Sequence, residues 1–199
     1  GDHRDLHSFP TRRSSDLSAT AGRYTQLPVS RLLAQENKLK SESCIQYNVG
    51  AQYEGDGRFY KAELYYKKYD RLALVEKGTV DVAEVLTSGG YGYSKGFDLF
   101  FNDRVLLKNL EYQLSYTYNI AKRKFQEYTE LTTPQYATRH NASLVLKYSI
   151  PRIGTIVGLT NRFSSGRPYH NPDLPGLMND HVKPYNSLDL GLTFLPSKK

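Results

Sequence analysis

A run of alternating side chains over residues 111–120 constrains the fold of this chain more than any other feature. Aromatic or aliphatic side chains occupy every second position: Tyr112, Leu114, Tyr116, Tyr118 and Ile120. Polar side chains occupy the positions between them: Glu111, Gln113, Ser115, Thr117 and Asn119. Because successive side chains of a strand point to opposite faces, the run predicts a strand with one apolar and one polar face. A length of about ten residues is what a tilted strand needs to cross a bilayer core.

Composition narrows the classes of protein that remain. Only 39% of the 199 residues are hydrophobic, which is low for a compact soluble core. No apolar run approaches the length of about 18 residues that a membrane-spanning helix needs. The chain has 17 Tyr and 8 Phe but no Trp, and tyrosine suits a surface that meets lipid headgroups. The formal charge of +7 is scattered along the chain, so we expect no nucleic-acid partner.

The beginning of the chain differs from the rest. Residues 1–17 show neither period-2 nor period-3.6 patterning, lack the apolar segment of a signal peptide and look like translated adapter sequence. We therefore expect residues 1–20 to be a non-native or disordered leader and residues 21–199 to be the folded part. Residues 29–42 could form a helical turn around Leu32 and Leu33, but the polar run from Gln35 onward favours a loop.

The alternation recurs along the remaining chain. Strands are predicted at residues 44–53, 58–69, 91–102, 111–120, 140–150, 155–163 and 185–194, with a shorter extended segment at 21–28. The predicted connections alternate between short turns (54–57, 103–109, 151–154) and long segments (70–90, 121–139, 164–184). Strands of about ten residues exceed the five or six that are usual in soluble proteins. Short turns at one end and long loops at the other are typical of outer-membrane β-barrels.

These patterns predict an all-β fold. We expect an antiparallel up-and-down meander of seven or eight long strands that forms an arc of a larger transmembrane β-barrel. A soluble, tyrosine-rich sheet that binds glycans remains an alternative. The two differ in the surroundings of Tyr112, Tyr116 and Tyr118, which face lipid in the barrel and a concave, water-filled surface in the glycan binder. An open arc has unpaired edges and an uncovered apolar face, so we expect the isolated chain to require detergent.

Several segments resemble TonB-dependent outer-membrane receptors and occur in the order typical of that family. They include the Tyr-rich segment at 61–72, the glycine-spaced strand at 92–99 with Gly92 and Gly96, and the segments at 39–50, 114–118, 139–141, 165–169 and 185–190. The chain is similar to the later half of the family's β-barrel. Such barrels have about 22 strands, so the resemblance implies a fragment of the C-terminal half, with the barrel not closed and no plug domain.

The resemblance also implies a function. Receptors of this family lie in the bacterial outer membrane, in contact with its lipid. They bind a scarce extracellular nutrient, such as a ferric siderophore, cobalamin or a glycan. They import it with energy passed by a TonB-type protein through the plug domain. The resemblance implies neither an enzymatic activity nor a cofactor.

Candidate ligand-binding residues cluster near the predicted long-loop ends of the strands. They are Tyr91, Tyr93, Arg162, Arg167 and Tyr169. The arginines, with Lys61 and Lys67, would attract an anionic ligand, and the tyrosine rings would stack on it. The alternative role for the tyrosines is to anchor strand ends at the membrane interface.

Other chemistry lacks the spacing that it needs. The glycine-rich residues 89–96 fit neither phosphate-binding motif, so we expect these glycines to relieve crowding in a curved strand. His140 and Ser143, a candidate hydrolase pair, fall on opposite faces of a strand. His170, Asp173, Asp180 and His181 share one loop without the tight spacing of a metal site, so we expect no metal and a polar loop.

Overall fold

The structure, a computed structural model, describes residues 14–76 and 85–195. Within these ranges the elements are β1 (Ser14–Gln26), α1 (Ser30–Gln35), β2 (Glu42–Gly55), β3 (Arg58–Glu76), β4 (Val85–Leu107), β5 (Leu110–Lys124), β6 (His140–Ile150), a 3₁₀ turn (Pro151–Ile153), β7 (Thr155–Ser164), β8 (Pro168–Tyr169), β9 (Asp180–His181) and β10 (Tyr185–Phe194). Within residues 14–76 and 85–195, none of the helices has the length and hydrophobicity of a transmembrane helix.

Eight strands form one antiparallel sheet in the order β1-β2-β3-β4-β5-β6-β7-β10. Each strand pairs with its neighbour along the chain, and the small ribbon of β8 and β9 lies within the connection from β7 to β10. The predicted all-β, up-and-down meander is therefore confirmed. In this order β1 and β10 are the two edges, so the sheet is an open arc.

The short turns lie at one end of the sheet. Asp56 and Gly57 join β2 to β3 with φ values of 51° and 76°, which matches the two-residue hairpin turn whose twist suits paired strands. Asn109, with φ of 63°, closes the β4–β5 turn, and Gly154, with φ of 59°, follows the 3₁₀ turn before β7. The connections at the other end are long, at residues 27–41, 125–139 and 165–184. The predicted short turns and the predicted long connections at 121–139 and 164–184 are confirmed, whereas strands occupy most of the predicted connection at 70–90.

The pairing register separates the side chains into two faces. Tyr116 lies opposite Leu99 of β4 and Ala142 of β6, whereas Ser115 lies opposite Phe100 and Ser143. We call the face of Tyr116 the outer face and the face of Ser115 the inner face. The apolar outer-face residues of the edge strand β10 are exposed because no protein layer covers them. They are Leu188, Leu190, Leu192 and Phe194. Such a surface is unsuited to water.

The buried residues lie mainly at the long-loop end. Leu32 of α1, Leu39 and Ala73 form a small cluster, against which Leu33 and Leu86 pack. Leu74, which is 1% exposed, lies beside it in sequence. These contacts explain why residues 30–35 form a helix where a loop was favoured, because the apolar pair of α1 reaches an apolar surface on the extended strands β3 and β4. That preference for a loop was wrong for these six residues.

Strands β3 and β4 are longer than predicted. β3 continues to Glu76 and β4 begins at Val85, so most of the predicted connection at 70–90 is strand. The register shifts between Asp70 and Leu74, and Arg71 has a positive φ of 60°. These bulges interrupt the period-2 pattern and hide the strand from a search for alternation. The tip of this connection, residues 77–84, lies outside the described residues.

The boundary of the leader also changes. β1 begins at Ser14 and pairs with β2 over its whole length, with Leu17 opposite Ala51 and Thr20 opposite Asn48. Residues 14–20 therefore belong to the sheet, and the boundary predicted after residue 20 is corrected. Residues 1–13 lie outside the described residues, and their non-native origin stays a prediction.

Candidate functional site

The inner face carries a concavity of about 310 Å³ across β2 to β5. Its lining, which we call the inner-face cluster, consists of Gln46, Asn48, Glu63, Tyr65, Lys67, Ser94, Asp98, Thr117 and Asn119. Every one of these residues is polar, because each occupies the polar positions of its alternating strand. Lys67, which was expected to help attract an anionic ligand, is one of them.

Hydrogen bonds between strands hold the inner-face cluster in place. Tyr65 of β3 donates to Oδ1 of Asn119 on β5 at 3.1 Å, although β4 lies between the two strands. Gly96 of β4 makes this reach feasible, because a Cβ there would lie 2.7 Å from the Tyr65 hydroxyl oxygen. Ser94 donates to the same oxygen of Asn119 at 2.8 Å. Gly96 thus provides the space for the Tyr65 ring to cross the strand. The glycines at 89–96 were expected to relieve crowding, and at Gly96 the crowded group is this ring.

A second glycine repeats this arrangement nearer the long loops. Tyr69 of β3 and Arg123 of β5 lie on either side of Gly92, where a Cβ would come within 2.8 Å of Arg123 Cγ. The Arg123 guanidinium carbon lies 4.0 Å from the centroid of the Tyr69 ring. Two loop-side rings, Phe125 and Tyr136, approach it at 5.8 and 5.6 Å. This arginine therefore ties the 125–139 loop to the inner face through cation–π contacts.

Burial also marks the surroundings of Arg123. Its Nε atom is buried without a hydrogen-bond partner among the described residues. Desolvation, the largest cause, raises the pKa of the neighbouring Tyr136 hydroxyl in the loop, and the positive charge of Arg123 opposes that rise. Tyr136 consequently stays protonated at neutral pH.

The long connections enclose a larger space, which we call the mouth cavity. Its volume is about 920 Å³, and it is lined by Arg31, Leu32, Gln35, Val75, Gln126, Glu127, Thr129, Glu130, His170, Gly176 and Leu177. These residues come from α1, the end of β3 and the loops at 125–139 and 165–184. The lining is mostly polar, includes the apolar residues Leu32, Val75 and Leu177, and carries both signs of charge.

Hydrogen bonds to the backbone fix the walls of the mouth cavity. Gln126 donates to the Ala73 carbonyl at 2.6 Å and accepts from the Val75 amide at 2.8 Å, so the 125–139 loop is pinned to β3. The Leu177 amide donates to Oε1 of Glu130 at 2.9 Å, and Thr132 donates to the Leu177 carbonyl at 3.0 Å. The two loops therefore hold each other in position, and these hydrogen bonds define the shape of the cavity between them.

The structure does not bring the five predicted ligand-binding residues together. Tyr91 and Tyr93 share the outer face with Phe97, since all three occupy alternate positions of β4. They point away from the inner-face cluster. Arg162 lies on the inner face, with Nη1 at 3.5 Å from Oδ2 of Asp189. Arg167 and Tyr169 lie in the loop that leads to the mouth cavity.

Tyr169 has a defined partner in the small ribbon. Its hydroxyl donates to Oδ2 of Asp180 at 2.5 Å, and Asn171 donates to the same oxygen at 3.1 Å. The hydrogen bond from Tyr169, together with those from the His181 amide and Asn171, holds the pKa of the Asp180 carboxyl below its usual range. The same contact raises the pKa of the Tyr169 hydroxyl. Both groups are fixed at neutral pH as an ionised carboxylate and a neutral phenol.

The structure also shows where the residues considered for a hydrolase pair and for a metal site lie. His140 contacts the Tyr116 hydroxyl through Nδ1 at 2.8 Å on the outer face, whereas Ser143 lies opposite Arg162 on the inner face. The prediction that these residues do not pair is confirmed. Among residues 14–76 and 85–195, no group of three or more His, Cys, Asp or Glu side chains is arranged to hold a metal ion.

Sequence reasoning missed the most elaborate part of the site. Arg123, Tyr69 and Tyr65 were not singled out, although they build the crossings over β4. The available signal was the spacing of Gly92 and Gly96, which are four residues apart and therefore on one face of a strand. Two glycines on one face, flanked on the next strand by two tyrosines with the same spacing, indicate rings that lie across a strand.

An open antiparallel meander with an apolar outer face, a polar inner face and long loops at one end defines a segment of a β-barrel wall. The chain belongs to the TonB dependent receptor-like beta-barrel family, whose model matches residues 11–198. The resemblance seen in the sequence motifs is thereby confirmed.

Two solved structures share this fold. They are the FrpB iron transporter from Neisseria meningitidis in its F3-3 variant and in the apoprotein form of its F5-1 variant. Each aligns with a TM-score of 0.67 at 12% identity and covers 92% of this chain but 30% of the transporter chain. At this identity the likeness concerns the fold, and the chain spans less than a third of those proteins. A search of curated proteins found no match.

Proposed function

We propose that this chain forms part of the barrel wall and the ligand entrance of a bacterial outer-membrane receptor that imports a scarce nutrient with energy from a TonB-type protein. The observation that carries the proposal is the separation of the two faces, apolar outside and polar inside, with the long loops gathered at one end. This arrangement suits a wall between lipid and an aqueous lumen. Membership of the receptor family supports it.

The distribution of aromatic rings favours a barrel over a soluble glycan binder. The Phe97 ring packs between Tyr116 and Tyr118 on the outer face, with centroids 5.8 and 5.7 Å apart. None of these rings lines the inner-face cluster or the mouth cavity. A glycan-binding sheet needs its rings on the concave face, where a sugar can stack on them.

The proposed substrate is an iron chelate such as a ferric siderophore. The similarity to the two FrpB structures, which are of an iron transporter, supports this class. The mouth cavity of about 920 Å³ is at the large end of ligand pockets, which span about 300–1,000 Å³, so it can admit a chelate. Arg31 and His170 offer donors to the carboxylate, catecholate or hydroxamate oxygens of such a ligand.

The energy-transducing partner follows from the same proposal. A TonB-type protein would act through a plug domain in the barrel lumen, and the described residues form none. The inner-face cluster, with Lys67, Glu63 and Asp98, presents the mixed polar surface that such a plug, or a ligand moving past it, would contact.

Uptake by the full-length receptor tests this function. The double variant Arg31→Gln, His170→Gln removes two donors of the mouth cavity, and the matched control Lys108→Gln, Arg152→Gln removes two cations at the short-turn end. Uptake of radiolabelled iron is measured with catecholate, hydroxamate and citrate chelates. We expect at least a tenfold rise in the half-saturating concentration of one chelate in the double variant only. Uptake that persists unchanged for all three chelates after deletion of the receptor gene would contradict the proposed substrate class.

A further inference from the structure

A small pocket, which we call the wall pocket, lies on the inner face between the mouth cavity and the inner-face cluster. Its volume is about 130 Å³, and β1, β2, β3 and β5 contribute its lining. Along β3, Val75 lines the mouth cavity, Leu72 and Tyr69 line the wall pocket, and Lys67 lines the inner-face cluster. A ligand that leaves the mouth cavity along this wall therefore meets the wall pocket next.

Arg123 is held firmly at one side of the wall pocket. Strand β4 contributes no side chain there, because Gly92 lies between Tyr69 and Arg123 in the pairing register. On its other side the Arg123 amide donates to the Thr132 carbonyl at 2.8 Å, and the Thr132 amide donates back to the Arg123 carbonyl at 3.2 Å. The guanidinium carbon lies 4.0 Å from the centroid of the Tyr69 ring. Backbone and ring contacts thus fix the position of this cation before any ligand arrives.

Arg123 differs from other arginines of the sheet in having no anionic partner. The guanidinium groups of Arg58, Arg104 and Arg162 lie 3.2, 3.0 and 3.5 Å from carboxylate oxygens. In the part of the chain that the structure describes, Arg123 makes no such ion pair, and its buried Nε has no hydrogen-bond partner. Unpaired donors of a partly buried charged group are costly. The wall pocket therefore lacks an acceptor that its chemistry requires.

The carboxylate in the described lining of the wall pocket does not meet this requirement. Glu42 accepts a hydrogen bond at Oε2 from Gln26 Nε2 at 3.1 Å. Its Oε1 accepts from the Ala73 amide at 3.2 Å. Both oxygens of Glu42 are thus engaged by β1 and β3, and neither forms an ion pair with Arg123.

A second cation lies close to the wall pocket. Lys61 pairs with Glu63 at 3.0 Å, whereas Lys67 has no ion pair among the described residues. Lys67 starts two strands and two residues away from Arg123, which places their Cα atoms about 12 Å apart. Both side chains are long enough to reach a single ligand between them. Two unpaired cations on one wall favour a ligand with more than one negative group.

We propose that the wall pocket binds a carboxylate group of the incoming ligand and that Arg123 is the residue that contacts it. The proposal rests on the proposed function for the arrival of a ligand, and it adds a second contact below the mouth cavity. A guanidinium donates two parallel N–H groups to the two oxygens of a carboxylate, which gives a strong and oriented pair. Lys67 supplies a point charge for a further carboxylate of the same ligand.

Binding of citrate to the full-length receptor tests the proposal. The receptor is purified in a neutral detergent, and saturation-transfer NMR measures the dissociation constants of citrate and of its uncharged trimethyl ester. Arg123→Gln removes the guanidinium, whereas Arg123→Lys keeps the charge and removes the planar pair of donors. The matched control is Arg104→Gln, which makes the same change at an arginine that is paired with Glu111 near the short turns. Circular dichroism checks that each receptor is folded.

We expect Arg123→Gln to raise the dissociation constant of citrate at least tenfold and Arg123→Lys to raise it less. The control should bind citrate as the wild type does, and the ester should bind to none of the receptors in the same concentration range. Equal citrate affinity in Arg123→Gln and the control, or equal affinity for citrate and its ester, would overturn the proposal.

Two further measurements separate this proposal from its alternatives. A melting temperature that falls in Arg123→Gln but not in the control, with citrate affinity unchanged, would assign Arg123 to an acidic side chain of the receptor itself and overturn the ligand site. Uptake of iron chelates that persists unchanged after deletion of the receptor gene contradicts the proposed function. Loss of that uptake on deletion, together with unchanged citrate affinity in Arg123→Gln, contradicts the wall pocket alone.

Discussion

The two faces of the eight-stranded sheet are held by different forces, although they share every strand. On the outer face, rings pack at centroid distances of 5.6 Å for Tyr60 with Phe101 and 6.0 Å for Tyr53 with Tyr60. On the inner face, side chains are joined by hydrogen bonds, such as that from Thr117 to Asp98 at 2.6 Å. The outer face therefore depends on its surroundings, and the inner face largely supports itself.

The inner face has an exception near the short turns. Phe59 and Phe100 meet there edge to face with centroids 5.8 Å apart. The polar inner surface is thus concentrated toward the long-loop half, where the inner-face cluster and the mouth cavity lie. In the proposed function, the part of the segment that faces the ligand is therefore the half nearest the long loops.

A charged side chain placed on each face in turn tests the difference between the outer and inner faces most directly. Leu99→Arg puts a guanidinium on the outer face opposite Tyr116, where transfer into hydrocarbon costs about 2–4 kcal/mol. Ser115→Arg on the inner face should change stability by less than about 0.5 kcal/mol, because water can solvate the charge. Urea unfolding of the full-length receptor in lipid vesicles measures both. Equal effects of the two substitutions would refute the assignment of the faces.

The glycine crossings are expected to give the next largest effect. Gly96→Ala places a methyl group against the Tyr118 carbonyl oxygen and the Tyr65 ring and should destabilise the barrel by about 1–3 kcal/mol through overpacking. Gly191→Ala is the matched control, since a Cβ there meets nothing within 4 Å. The same vesicle assay compares them. A Gly96→Ala receptor as stable as the control would show that Tyr65 does not need the glycine.

Removal of the Tyr65 hydroxyl tests how much one hydrogen bond stabilises the inner face. Tyr65→Phe deletes the hydrogen bond to Asn119, which lies 3.1 Å away, and should cost about 0.5–1.5 kcal/mol. Tyr47→Phe on the outer face, where the ring is half-exposed at 51%, serves as the control and should be close to neutral. The difference in urea midpoint between the two variants reports the contribution of the bond. No difference would mean that water replaces it fully.

The smallest effect concerns pH at the loop ribbon. The lowered pKa of Asp180 stabilises the ribbon above the ordinary Asp value of about 3.9, and this contribution is lost as pH falls through the folded pKa. The raised pKa of Tyr169 stabilises it below about 10, and that contribution is lost as pH rises through the folded value. The protection of the β8–β9 amides, measured as the hydrogen-exchange rate relative to the intrinsic rate at the same pH, should therefore be highest between these limits. In Asp180→Asn the acid-side change should disappear, and its persistence would assign the change to another group.

Alternation alone was enough to predict the fold and the faces. β6 and β10 begin and end where the pattern of residues 140–150 and 185–194 placed them. The reason is physical, because a strand between lipid and water must keep period 2 at every step. The turns at Gly57 and Gly154 followed from residues that accept positive φ.

The features that were not predicted depend on contacts between segments that are distant in the sequence. The extension of β3 past Arg71 is hidden by bulges, and the strand at residues 14–20 lacks a pattern of its own but gains a partner in β2. The mouth cavity arises from loops that meet only after folding, such as Gln126 on Ala73. The candidate residues Tyr91 and Tyr93 were placed near the right end of the strand, but the importance of their face for ligand contact was not recognised.

The central claim is that the outer face contacts lipid and the inner face contacts water. Single spin labels attached at residues 113–118 of β5, in a Cys44→Ser receptor reconstituted in bilayers, test it most directly. The account predicts that accessibility to dissolved oxygen is high at 114, 116 and 118, and that accessibility to a water-soluble nickel chelate is high at 113, 115 and 117. Accessibility without this two-residue period, or with the two reagents exchanged between the faces, would contradict it.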